Sequence, residues 1–224
     1  MKTTISDSTK VSGKFRLKKM LLICGILSTI IYVGTDILAT MQWEDYSYTS
    51  QTFSELIATN APTRPLVVKL SIIYALLVYA FGLGVWQSGG QKHELRLTAV
   101  GIVGKEVLGL VVTLFFPIHM RGVQVSYTDT MHATLTCMGV LFFLIAIGFG
   151  AAAFGRWFRL YSIGTIVILA VFGVLAGLDA PRMTANLPTP GMGVWERINI
   201  FGYLLWIVVL AIILLRSEKE QNSH

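Results

Sequence analysis

Six stretches of the chain are almost continuously apolar, at about 18–40, 66–88, 97–118, 131–154, 159–179 and 195–215, and as helix each spans the hydrocarbon of a bilayer, which takes roughly 20 residues. Apolar and polar residues do not alternate within them, as they would in the roughly 10-residue strands of a membrane barrel. The pattern predicts an all-α, polytopic membrane protein, a six-transmembrane-helix bundle. Tails are expected at 1–17 and 217–224, and outer loops at 41–65, 119–130 and 180–194. The first apolar run follows basic residues, as a signal peptide does. Its core exceeds the about 7 to 15 residues usual for one, and no A-x-A-like cleavage site follows Met41, so it reads as a retained helix.

Composition agrees with the pattern. The 224 residues are 54% hydrophobic and 13% charged, with a mean hydropathy of +0.67, whereas about a quarter of a soluble domain is charged. The net charge of +6 raises nucleic acid as a partner, but the positions of the basic residues argue otherwise. Lys2, Lys10, Lys14, Arg16, Lys18 and Lys19 precede the first span, and Lys92 and Arg96 lie between the second and third. Arg156 and Arg159 lie between the fourth and fifth, and Arg216 and Lys219 follow the sixth. All of these fall on one side of a six-span arrangement. Arg64, Arg121, Arg182 and Arg197 fall on the other. The positive-inside rule then puts both termini in the cytoplasm of a multi-pass protein of the bacterial inner membrane. Topology and anionic membrane lipids account for the basic excess, leaving no nucleic acid partner. Cys24 and Cys137 form no metal or redox motif and read as small buried apolar residues.

Polar residues inside or beside the spans are the candidates for function. The first dozen residues lack periodicity and are expected to be irregular. Asp36 stands near the outer end of the first span, too short to reach far by snorkelling, and so is expected to face the bundle. The loop after it carries Trp43, Tyr46, Tyr48 and Phe53, which suits an interfacial lid. Ser54, followed by Glu-Leu-Ile-Ala, is expected to open a helix of one or two turns that Asn60 and Pro62 close. Lys69 lies one turn into the second span, within snorkelling reach or available as a counter-ion to Asp36 or Glu55. Lys105 and Glu106 stand near the middle of the third span, where a charge costs about 2.5–3.5 kcal/mol even on the lenient insertion scale. Being adjacent, they point about 100° apart, so each is expected to need a partner on another helix or in a water-filled cavity.

The sharpest change from apolar to ionisable residues is FFPIHMRGVQVSYTDTMH, 115–132, joining the third and fourth spans. His119, Arg121, Asp129 and His132 sit there at the hydrocarbon boundary, where unpaired charge is costly. Asp129 and His132, three apart, share a helix face. Gly139, Gly148, Gly150 and 151–153, then Gly164, Gly173 and Gly177, read as close-packing positions. The fifth span ends at Asp179, in a faint echo of Asp36 that suggests an internal repeat. The Pro- and Gly-rich loop after it is expected to be a non-helical cap, leading to Glu196 and Arg197, with Glu196 suited to a first helical turn.

Several of these stretches together resemble a bacterial membrane family known as a domain of unknown function, DUF 998. The residues concerned are Ser54-Glu55-Leu56 after an aromatic loop, Phe116-Pro117 closing the third helix, the polar stretch leading to His132, and Trp195-Glu196-Arg197-Ile198 opening the sixth. In that family an Asp commonly stands two residues after the proline; here the position is His119, so no carboxylate role carries over there. The resemblance covers most of the chain. It implies six helices and a shared outer-side site around Glu55, His132 and Glu196, and supplies no activity.

Three functions remain open. The first is an outward-facing polar pocket, lined from Asp36, Glu55, Arg64, His119, Arg121, Asp129, His132, Asp179, Glu196 and Arg197 down to Lys105 and Glu106, that binds or transports a lipid or small amphiphile. The second is a membrane-embedded hydrolase of lipid or amide bonds. There, zinc held by His119 and His132 with Asp36, Asp129 or Glu55 would activate a water, and Ser54 is the alternative nucleophile; no H-E-x-x-H or G-x-S-x-G is present. The third is a structural or partner-binding subunit whose charges form interhelical pairs. Glu55, His132 and Glu196 fall at one membrane level and are expected to converge beneath the first outer loop.

Overall fold

The computed structural model describes residues 3–221, with side chains from 16 to 220. The chain is helical almost throughout: α1 (Thr3–Gln42), the one-turn α2 (Phe53–Leu56), α3 (Arg64–Gly89), α4 (His93–Phe115), α5 (Tyr127–Ala153), α6 (Arg156–Thr184) and α7 (Met192–Gln221). Among the described residues there is no strand. Among the same residues six helices are long and apolar enough to cross a membrane, with α1 contributing Arg16–Gln42. Every predicted span is therefore present, and most run a few residues longer than expected.

Local chemistry explains the boundaries. Pro65 sits in the first turn of α3, where its missing N–H costs no helical hydrogen bond. α4 stops at Phe115 because Phe116, at φ −129 and ψ 57, precedes Pro117, which disfavours the helical conformation for the residue before it. α5 opens with a capping box in which Ser126 and Asp129 each accept from the other's backbone N–H. Two expectations need correction. The polar N-terminal stretch is helical from Thr3, no proline or glycine interrupting it before Gly13, and α6 continues past Asp179 to Thr184, with Pro181 inside it. α7 continues through the tail expected from 217 as far as Gln221. The side chains of Lys2, Lys10, Lys14 and His224 lie outside the described residues.

The long helices form a ring in chain order, α1, α3, α4, α5, α6 and α7, closing with α7 on α1. α4 and α5 approach most closely at Gly101, where a Cβ would come within 2.6 Å of the Ala146 nitrogen and 2.7 Å of the Phe142 oxygen. One half of the ring is filled by Leu22, Phe81, Val85, Ile102, Ile147 and Trp206, with Trp206 donating to Ser162 at 3.0 Å. The connectors at this end, 90–92 and 154–155, are short. At the opposite end the connectors 43–63, 116–126 and 185–191 are long, and they fold together into a cap.

Packing also corrects the small-residue reading. Gly150 does meet Trp206, but Gly139, Gly148, Gly164 and Gly177 have open space where a Cβ would be. Cys24 is half-buried and Cys137 is exposed rather than buried. These outward positions follow from geometry: α6 buries only Phe158, Ser162, Thr165 and Leu169, at the spacing of a single narrow stripe.

Candidate functional site

The cap is organised by two arginine–carboxylate pairs. Asp36 and Arg197, 1% and 3% exposed, come from α1 and α7. Arg197 donates to Asp36 through Nη2 at 2.9 Å and Nε at 3.1 Å, the planar fork geometry that suits guanidinium and carboxylate. The same guanidinium donates to the carbonyls of Tyr48, Gln51 and Gly193 at 3.0, 2.9 and 3.2 Å and to the Tyr46 hydroxyl at 2.8 Å. It also lies 3.7 Å from the centre of the Tyr48 ring, a cation–π contact. Tyr48 in turn donates to Asp36 at 2.9 Å. Asp36 thus faces the bundle as expected, but its counter-ion is Arg197; Lys69 is exposed. Burial pushes the Tyr46 and Tyr48 hydroxyls above the ordinary phenol range, so both act as neutral donors and acceptors.

The second pair joins all three connectors of the cap. Arg121 donates to Glu55 through Nε at 2.6 Å and Nη2 at 2.9 Å, to Thr189 at 2.8 Å and to the Ser50 carbonyl at 2.8 Å. Its hydrogen bonds to Glu55 hold the guanidinium above its ordinary pKa. Glu55 also completes the capping box of α2, accepting from the Thr52 N–H at 2.8 Å. A single helical turn has no stability of its own, so α2 depends on these contacts. Glu196 adds another from α7. Rather than serving the start of its own helix, its carboxylate accepts from the Phe53 N–H of α2 and from the Ser54 hydroxyl, the latter at 3.3 Å. Gly193 lets α7 reach the loop, since a Cβ there would lie 2.4 Å from the Gln51 oxygen and 2.5 Å from the Tyr48 oxygen. The lid helix differs from the expected one at both ends: Thr52 rather than Ser54 caps its start and Ile57 its end, and Asn60, in the left-handed conformation at φ 70, turns the chain beyond it. Arg64 then donates to the Ile57 and Thr113 carbonyls.

The two histidines are anchored apart from these pairs. His119 shares Nδ1 with Asp129 at 2.8 Å and with the Ser126 hydroxyl at 3.2 Å, while its backbone N–H donates to Asp129 at 2.7 Å. Serine and carboxylate meet the same ring nitrogen, whereas a relay triad needs them on opposite nitrogens; the cluster caps α5. His132, buried, holds the Phe116 carbonyl through Nδ1 at 2.8 Å, satisfying the end of α4. It shares no hydrogen bond with Glu55 or Glu196, which meet each other at α2. Asp179 is half-buried and lies 3.8 Å from Arg182 of its own helix, so the echo of Asp36 is not matched in contacts. Among the described residues no three His, Cys, Asp or Glu side chains gather to hold a metal ion. The set His119, His132 and Asp36 is not brought together, because each is bound to a different protein partner.

A second polar group lies deeper. Glu106 is 4% exposed and its contact with Lys105, at 3.5 Å, corrects the expectation that neighbours would not pair: the long lysine stem folds back across the 100° between them. The ammonium lies 5.9 Å from the centre of the Tyr74 ring and 5.3 Å from that of Tyr203. The Tyr74 hydroxyl donates to Glu106 and Tyr203 lies within its electrostatic reach, and Tyr32 stands edge-on to Tyr74 at 5.1 Å. All five residues are near the midpoints of their spans. The Tyr203 hydroxyl is buried with no hydrogen-bond partner. Sequence reasoning missed Tyr203 and Tyr74; the available signal was a polar-tipped ring at the same depth as Lys105.

A family model described as a protein of unknown function (DUF998) matches residues 26–213. Neither a curated protein nor a solved structure matches the chain.

Proposed function

The chain belongs to the DUF998 family, which is defined without an activity, and from the geometry we propose that it is an integral membrane protein that binds a lipid or small amphiphile within its helical ring. The observation that carries this reading is the mid-membrane group of Lys105, Glu106, Tyr74 and Tyr203, which keeps unsatisfied hydrogen-bonding capacity where such capacity is costly. A buried hydroxyl without a partner has reason to be there if a ligand completes it. The basic residues Lys18, Lys19, Lys92, Arg96, Arg156, Arg159 and Arg216 flank the spans at the end away from the cap. The positive-inside rule puts that end in the cytoplasm and the cap on the outer face of a bacterial inner membrane.

A structural reading has its own support in the cap, where Asp36, Glu55, Arg121 and Arg197 satisfy one another and tie the connectors together. These residues serve architecture, and the deeper group serves binding. The test is to purify the full chain in a mild detergent, extract it with organic solvent and analyse the extract by mass spectrometry. An amphiphile retained in near-equal ratio to protein is the expected result. A chain that retains none and binds none of the membrane lipids added back overturns the reading.

A further inference from the structure

The mid-membrane group carries more than a general affinity for lipid. Its charges already balance, Lys105 against Glu106, so a charged head would add an uncompensated charge to a buried site, which costs several kcal/mol on an order-of-magnitude view. Its free capacity is for donation. The Lys105 ammonium carries three N–H groups and its hydrogen bond within the protein is the long one to Glu106 at 3.5 Å. Tyr203, 6% exposed, has an O–H with no acceptor. The matching ligand group is therefore uncharged and rich in acceptor oxygens. Its walls are aromatic, with Tyr74 and Tyr203 beneath the ammonium and Phe143 against Tyr203 at 6.1 Å. Flat rings pack best against such walls.

One side of the ring is thinly packed. In the outer half of the ring, α6 buries no residue from 170 to 184. Over 127–145, α5 buries only His132, which is occupied with the end of α4. Gly139 on α5 and Gly164 and Gly177 on α6 face open space. The exposed face of this part of α5, with Ala133, Thr134, Cys137, Met138 and Leu141, forms a shallow, open apolar hollow. Phe143, half-buried on α5, packs against Tyr203.

We propose that Lys105 and Tyr203 donate hydrogen bonds to the ring carbonyls of a membrane quinone that reaches them laterally, through the α5–α6 seam past Phe143. This class meets every constraint at once: its head is uncharged, flat and carbonyl-bearing, and its tail is apolar. Lipids with charged heads stay at the interface, whereas uncharged ones reach the depth of this group. The proposal rests on the amphiphile-binding reading above and gives it a ligand class.

The test uses the full chain in detergent micelles, titrated with decylubiquinone and followed by native mass spectrometry. Saturable binding of one molecule per chain is expected, weakened about tenfold in Tyr203→Phe, the effect of one lost hydrogen bond. Tyr203→Phe removes a hydroxyl without a protein partner, so the variant keeps its fold, checked by its melting temperature. Lys105→Met is expected to weaken binding at least as much; should the lone Glu106 unfold that variant, Tyr203→Phe still decides. Decylbenzene, which lacks the carbonyls, and oleate, which is charged, are expected not to displace the quinone. Binding that fails to saturate, is unchanged in Tyr203→Phe or yields to oleate overturns the quinone assignment. If another amphiphile co-purifies while decylubiquinone does not bind, this inference falls and the broader reading survives; if no amphiphile binds at all, both fall.

Discussion

The cap and the mid-membrane group are both built from charges and tyrosines in an apolar bundle, yet they differ in how completely those groups are satisfied. Arg197 donates to a carboxylate, three carbonyls and a hydroxyl and lies on an aromatic ring. Arg121 does nearly the same across all three connectors of the cap. In the deeper group Glu106 is held by the long contact to Lys105 and by the Tyr74 hydroxyl, while the Tyr203 hydroxyl has no partner among the described residues. Saturated networks rigidify a structure, whereas partly satisfied ones are costly and persist where something else completes them. Charge alone is thus a poor guide to a binding site in this bundle; residual hydrogen-bonding capacity is the better one.

The comparison breaks most visibly if the cap proves dispensable. Arg197→Met leaves Asp36 buried without a counter-ion and frees the carbonyls of Tyr48, Gln51 and Gly193. The expected loss is about 3–5 kcal/mol, as for one partner removed from a buried pair. It should appear as a large fall in melting temperature and as new proteolytic cleavage between Trp43 and Thr63. A variant that melts like the wild type, with that loop still protected, would show that the pair is not what holds the cap.

The division between the two regions explains what could be read from the chain. Spans, the inward-facing Asp36 and the presence of a short lid helix were legible because they depend on local pattern: long apolar runs, a short side chain too deep to snorkel, and a helix-favouring run after Ser54, although the residue that caps the helix is Thr52. Partners were not legible. Asp36 and Arg197 are separated by 161 residues, and nothing in either neighbourhood names the other. His132 was expected beside Glu55 and Glu196 because they share a level, but a level does not specify a face, and the Phe116 carbonyl left free by Pro117 claimed the imidazole. Tyr203 was hidden for another reason. Within FGYLLW it adds to the apolar signal that defines the span, and its hydroxyl matters only beside Lys105 and Glu106 of a different helix.

A smaller effect separates capping from chemistry at His119. Ser126→Ala removes the N-cap of α5 and one of the two side chains on His119 Nδ1. A loss of about 1 kcal/mol is expected, typical of an N-cap, seen as a modest fall in melting temperature with amphiphile binding unchanged. A marked loss of binding with no change in stability would instead assign the Ser126, His119 and Asp129 cluster to the ligand site.

The smallest expected change in stability is the most informative, because it comes from the deeper group. Removing the hydroxyl from a satisfied tyrosine leaves its partner bereft, at about 1–3 kcal/mol when buried. Tyr203 has no such partner, so Tyr203→Phe in the ligand-free chain should shift stability by less than about 0.5 kcal/mol, and toward greater stability if at all, since a buried orphan hydroxyl is itself unfavourable. Melting curves of delipidated wild type and variant measure this directly. With amphiphile bound, the order should reverse, because ligand binding stabilises the chain that holds it more tightly. That inversion is the signature of a group kept for a ligand. A variant clearly less stable than the wild type without ligand would mean that the hydroxyl serves the fold, and the contrast between cap and mid-membrane group would collapse.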